Sequence, residues 1–154
     1  MKEVQIKAFE DKYHPQFREI SLDWLQSSGL YEKADDDLLD NPQKYLEHGS
    51  FIFLAHYNDE IVGTVTLSPL ENNTFEIMKL GVIAAYKRLG IGRKLLQTCM
   101  DICYKKEVKL ITLETSSKLV NAIKLYEKFG FVHTEITASY YESADVKMEL
   151  KLRQ

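Results

Sequence analysis

A chain of 154 residues, 45% hydrophobic and 28% charged, with seven glycines and three prolines, reads as one ordinary domain with enough length for a real core. Its formal net charge of −3 speaks against a nucleic-acid binder, which carries a basic excess, and suits a small cationic partner. The start, MKEVQIKAFEDKYH, lacks an apolar leader segment, and no run reaches the ~18 apolar residues of a membrane helix, so a soluble cytoplasmic protein with no membrane partner is expected.

In chain order, Val4 to Phe9 alternates as a short strand. Pro15 to Gln26 predicts a helix, with Pro15 in its first turn and Phe17, Ile20, Trp24 and Leu25 at helical spacing. Lys33 to Leu39 predicts a second short helix, its acidic run Asp35, Asp36, Asp37 read as a solvated face or helix start, with attraction of an amine substrate as the sharper alternative. Asn41-Pro42 opens a third short helical piece ending near Gly49. Three strands follow, Phe51 to Tyr57, Ile61 to Leu67 and Phe75 to Ile83, with turns at Asn58-Asp59 and Asn72-Asn73.

The pattern then changes to helix–strand alternation. Ile91 to Tyr104 carries Ile91, Leu95, Cys99, Ile102 and Cys103 on one stripe. The two cysteines read as small core side chains, and the scattered His14, His48, His56 and His133 give no metal site. Val108 to Glu114 is a strand, and Leu119 to Phe129 is a helix stopped by Gly130 as a left-handed cap. Phe131 to Ile136 and Asp145 to Leu152 close the chain as strands. The fold expected is mixed α/β: a mostly antiparallel sheet of six to seven strands, flanked by about four helices, in a single domain over residues 1–154.

The most informative segment is Lys87-Arg88-Leu89-Gly90-Ile91-Gly92-Arg93, which follows a strand and opens a helix. Glycine there lets backbone approach a ligand, and the free first-turn amides with the helix dipole form an anion site. Lys87, Arg88 and Arg93 add positive charge. The nucleotide motif G-x-x-x-x-G-K-[ST] is absent, and G-x-G-x-x-G fails at Leu95.

EIMKLGV, YKRLGIGRKLL and NAIKLYEKFGF, in this order and spacing, resemble the GNAT superfamily of N-acetyltransferases over nearly the whole chain. The resemblance implies acetyl-CoA as co-substrate and a primary amine of a small molecule or peptide as acceptor, joined by direct attack in a ternary complex. It implies that Lys87 to Arg93 wraps the CoA pyrophosphate and that Leu80, Gly81 and Val82 pair with the pantetheine arm, an N–H near Val82 polarising the thioester carbonyl. Two positions depart from the family pattern. Lys87 replaces a usual Arg or Gln, and Leu119 stands where many relatives have an asparagine touching the arm. Asn121 is the nearest amide to that place.

Attack by an amine needs a base, and the leaving thiolate benefits from an acid. Glu76 resembles the base position of the histone-acetylating branch. It is expected on one strand face with Met78, Leu80 and Val82. Glu114 with Tyr126, twelve residues on, resembles the base and acid pair of the branch acting on ribosomal-protein N-termini. Trp24, Tyr31, Tyr140 and Tyr141, with Glu142, fall on the segments that wall the acceptor pocket in this superfamily, a lining suited to a cationic amine. Two alternatives stand beside the enzyme: a non-catalytic acetyl-CoA sensor or interaction module, and a nucleotide-binding α/β domain. A homodimer is compatible with the resemblance.

Overall fold

The computed structural model describes residues 3–152. Seven strands, β1 (Gln5–Ala8), β2 (Phe51–Tyr57), β3 (Glu60–Leu70), β4 (Thr74–Val82), β5 (Leu110–Thr115), β6 (Val132–Thr134) and β7 (Val146–Lys151), form one sheet in the order β1-β2-β3-β4-β5-β7-β6. Only β4 and β5 run parallel. The helices are α1 (His14–Ser27), α2 (Asp36–Asp40), α3 (Pro42–Glu47), α4 (Ile91–Lys105) and α5 (Val120–Lys128), five among the described residues against about four expected. The mixed, mostly antiparallel sheet agrees with the sequence reading.

Local chemistry fixes most boundaries. Asn58 and Asp59, at φ +53 and +65, make the tight turn that joins β2 to β3 without splaying them. Helix α5 ends where Gly130 turns left-handed at φ +102, with Phe131 N–H bonding Tyr126 C=O. Helix α4 ends the same way on Glu107, φ +56, with Val108 N–H bonding Cys103 C=O. That cap consumes Val108, so β5 starts at Leu110. The segment 33–39 is not one helix: a 3-10 turn, Lys33–Asp35, precedes α2.

The sheet divides two apolar clusters. On one face α4 and α5 bury Leu95, Leu96, Cys99, Met100 and Tyr126 against Val65, Leu67, Ile77, Ile111, Leu113 and Met148. On the other, α1 to α3 bury Phe17, Ile20, Leu25, Leu38 and Leu39 against Ile52 and Leu54. Each such side chain removed from water stabilises the fold by about 1.5–3 kcal/mol.

Two irregularities in β4 create the site. Its pairing with β5 stops at Ile77↔Leu113, so the strands part beyond that point. On the other edge, Met78 pairs Thr66 and Gly81 pairs Thr64, three steps against two, and Lys79 takes φ +55. This bulge inverts the alternation. Leu80 and Val82 therefore pack with the α4 cluster, whereas an added Cβ on Gly81 would point into Trp24 on α1. The expectation that Glu76 shares a face with Leu80 and Val82 is corrected: with Phe75 and Ile77 in the α4 cluster, Glu76 faces α1 to α3.

Candidate functional site

At the glycine turn, Gly90 sits at φ +75 and caps α4 with no side-chain hydrogen bond. The first hydrogen bond of the helix runs from Lys94 N–H to Gly90 C=O, which leaves the amides of Ile91, Gly92 and Arg93 free. A Cβ on Gly90 would meet nothing within 4 Å, so glycine is needed there for its backbone angle and the space above is open. Lys87, Arg88, Leu89 and Arg93 are exposed around it. Ile91 is 2% exposed, so its side chain belongs to the core and only its amide faces outward. Asn121 is exposed in the first turn of α5, outside the residues that line the neighbouring cleft.

That cleft opens where β4 and β5 part. Trp24, Lys79, Leu80, Glu114, Tyr126 and Tyr141 line it, with Asp35, Leu119 and Ser143. Tyr126 is buried on α5, edge-on to Phe131 at 5.9 Å. Burial pushes its phenol well above the usual tyrosine range, so the group stays protonated at neutral pH. Glu114 accepts a hydrogen bond from Ser139 Oγ. Glu76 pairs with Thr112 across the parallel ladder, which sets it diagonally beside Glu114 on one face. Burial, reinforced by the Glu114 charge, raises the Glu76 carboxyl above the usual range.

The sequence reading missed Lys79 and Glu32, which link Asp35, Tyr141 and Ser143 around the cleft. Lys79, its side chain 9% exposed, places Nζ 2.6 Å from Asp35 Oδ1 and 3.7 Å from the centre of the Tyr141 ring. Burial lowers its pKa against the opposing pull of Asp35. Asp35 is 1% exposed and also accepts Glu32 N–H at 2.8 Å. The solvated-face reading of the acidic run is thus corrected at Asp35. Asp36 and Asp37 do sit outside, accepting from Tyr31 Oη and from Lys44 and Tyr45. Glu32 in turn accepts the backbone N–H groups of Glu142 and Ser143 at 2.9 and 2.6 Å. This chain of contacts ties the 3-10 turn before α2, the β4 bulge and the loop before β7 together. The one sequence-level signal was a lysine inside an apolar strand, a residue seldom buried without a partner.

Of the expected acceptor-wall residues, Trp24 and Tyr141 are in the cleft. Tyr31, 38% exposed, is engaged with Asp36 outside it. Tyr140 is 69% exposed and leans edge-on against Tyr141. No group of metal-binding side chains occurs among the described residues, and none of the described helices is long and apolar enough to cross a membrane.

The arrangement suits an extended ligand with an anionic head. The free amides and basic side chains of the glycine turn fit a pyrophosphate. The β4 edge past Ile77 has no β5 partner and is free to pair with an amide-bearing arm. Inside the cleft the indole Nε1 of Trp24 is buried with no hydrogen-bond partner.

The model of the acetyltransferase (GNAT) family matches residues 8–131. N-alpha-acetyltransferase 50 of Danio rerio is 38% identical over 101 residues, 63% of this chain and 60% of that protein, so the chain spans under two-thirds of that relative's length. The uncharacterized N-acetyltransferase YjgM of Escherichia coli is 30% identical over 122 residues, 77% of this chain and 73% of that one. Among solved structures, a GNAT-family acetyltransferase of Staphylococcus aureus superposes with TM-score 0.90 at 26% identity, covering 98% of this chain and all of that one. PaiA N-acetyltransferase of Thermoplasma acidophilum, solved with coenzyme A, shares the fold with TM-score 0.82 at 16% identity, over 97% of this chain and 99% of that one. By the family match over most of its length, joined to this sheet and glycine turn, the chain belongs to the GNAT family of acetyltransferases.

Proposed function

We propose that the protein transfers an acetyl group from acetyl-CoA to a primary amine held between the β4–β5 parting and the loop before β7. The observation that carries this reading is that Glu114, Tyr126 and Trp24, from three different elements, line one cleft beside an open helix N-terminus. Acetyl-CoA bound there supplies an acyl group activated as a thioester. The protein's part is to hold it, orient the amine and move two protons.

The amides of Ile91 to Arg93, with Lys87, Arg88 and Arg93, hold the pyrophosphate. The edge from Leu80 to Val82 takes the arm. The bulge leaves Lys79 and Leu80 without a β3 partner, so the N–H that polarises the carbonyl is assigned to Leu80 rather than to the neighbourhood of Val82. An alkylamine is mostly protonated at neutral pH. Glu114, which reaches the cleft, takes the amine proton directly or through one water. Glu76, the alternative base, flanks it: its raised carboxyl is closer to a base's working range, while its place is behind the lining. As the new C–N bond forms and the C–S bond breaks, Tyr126, a neutral phenol, gives its proton to the departing sulfur and takes up the second proton that the nitrogen sheds on becoming an amide.

The carboxylates Glu32, Asp35, Glu76 and Glu114 outnumber the cations beside them, Lys79 and Lys147, which supports an amine acceptor over an acidic one. A small molecule and a peptide N-terminus both meet that requirement, and the zebrafish relative's name favours testing peptides early. We place the protein in the cytoplasm, on the reduced pair Cys99 and Cys103.

Calorimetric titration with acetyl-CoA, beside ATP and NAD, tests the first half. Selective binding of acetyl-CoA is expected, and equal or tighter binding of ATP overturns the reading. Thiol release over a panel of amines and peptide N-termini tests the second half. Tight cofactor binding with no release on any acceptor would move the sensor module ahead.

A further inference from the structure

Trp24 is the one tryptophan of the chain. It projects from α1 across the cleft and lies on β4 so closely that a Cβ added to Gly81 would stand 2.1 Å from its Nε1 and 2.2 to 2.4 Å from two ring carbons. No residue but glycine leaves the indole that place. The contact puts the polar edge of the ring, rather than its benzene edge, on the strand. Yet Nε1 is buried and donates to nothing.

A buried indole N–H normally finds an acceptor, and one left without costs free energy comparable to a lost hydrogen bond. Leu119, which packs with Trp24 on the same apolar cluster, has no polar atom to offer a ligand there. The strand beneath the ring is the stretch of β4 that has lost its β5 neighbour. A ligand entering there runs along Gly81, past the indole edge.

We infer that the indole N–H of Trp24 is the donor for a carbonyl of the pantetheine arm, a positioning contact made only when the arm lies along β4. A small turn of the ring off Gly81 brings the N–H to the ligand. Trp24 thereby acts on cofactor hold and arm placement, not on the proton transfers. The inference rests on the acetyl-CoA reading above.

Two measurements test it. In the unaltered protein the single indole N–H gives one resolved proton resonance. It is expected to move downfield on saturation with coenzyme A. It should stay in place with adenosine 3′,5′-bisphosphate, which has no arm. The Trp24→Phe variant keeps a ring over Gly81 and loses the donor. Its affinity for coenzyme A is expected to drop about three- to tenfold, the scale of one hydrogen bond, with bisphosphate affinity unchanged. An indole resonance that ignores coenzyme A overturns the inference, as does a variant that loses both ligands equally or neither. If the unaltered protein binds bisphosphate and coenzyme A alike, the arm contributes nothing and Trp24 has no such role. If it binds neither, the acetyl-CoA reading itself falls.

Discussion

The two ends of the cleft are built on different principles. The glycine turn is local: seven consecutive residues, one left-handed glycine and the first turn of α4 build it. The acceptor end is assembled from afar. Glu32 reaches Glu142 and Ser143 across 110 and 111 residues, and Lys79 meets Asp35 and Tyr141. A local site tolerates change elsewhere and fails only when its own backbone or charge is altered. An assembled site shares its energy with the fold, so damage there appears as lost stability as well as lost function.

Four experiments separate the ends. Gly92→Glu puts a carboxylate at the free amides, and like charges set together cost several kcal/mol. Affinity for coenzyme A should fall by roughly a hundredfold or more. Gly92→Ala should bind nearly as well as the parent, because its Cβ meets only Leu125 at 3.7 Å. Unchanged affinity in the glutamate variant would remove the pyrophosphate assignment.

Lys79→Met strands the Asp35 carboxylate in the interior, a loss of about 3–5 kcal/mol. For a chain of this size the Tm should drop by roughly 10 °C, with coenzyme A affinity nearly preserved. Adding Asp35→Asn, which removes the stranded charge and keeps an acceptor for Glu32 N–H, should restore most of the loss. A Lys79→Met melting curve that overlays the parent's would show that the pair is solvated and that the acceptor end is not tied through it.

Tyr126→Phe and Glu114→Gln should each lower kcat by about a hundredfold while leaving cofactor affinity alone, the usual scale for one acid or base. Glu76→Gln is expected to cost less than about tenfold. The reverse ranking of the two glutamates would make Glu76 the base. Parent-level kcat in Tyr126→Phe would end its role as acid.

The smallest effect concerns pH. The Glu76 carboxyl is raised in the folded state, first by burial and then by Glu114. The native form therefore binds its proton more tightly than the unfolded chain does. Stability falls as pH rises from the ordinary carboxylate pKa through the raised one, and is fully retained below both. Glu76→Gln has no such proton to lose. Its Tm should exceed the parent's by a few degrees at neutral pH, and the gap should close on acidification. A gap that is constant with pH would mean packing, not charge, sets the difference.

How much was legible follows from the same division. The meander, the β5–α5 alternation and the Gly130 cap carry their instructions in adjacent residues, and they formed where the periodicity put them. Segment 33–39 broke the pattern because Asp35 turns inward to Lys79 and Glu32, and propensity does not see a partner 44 positions away. Strict alternation puts Glu76 on the face of Leu80 and Val82, and one left-handed residue at Lys79 reverses that for everything after it. Tyr31 and Tyr140 looked like pocket aromatics by segment, yet a surface hydrogen bond holds the first outside and the second remains in solvent.

Neighbouring residues alone set the order of elements, the glycine turn with its basic flanks, and Glu114 and Tyr126 at a family spacing. Each depends on neighbours within a few residues or on periodicity, and backbone sterics act at that range. Long-range packing sets which carboxylate reaches the cleft, buries Lys79 and Asp35 together, and rests the indole of Trp24 on Gly81. Those outcomes hang on the bulge in β4 and on the parting of β4 from β5, where the pairing of distant strands, and not any local preference, sets which way each side chain points.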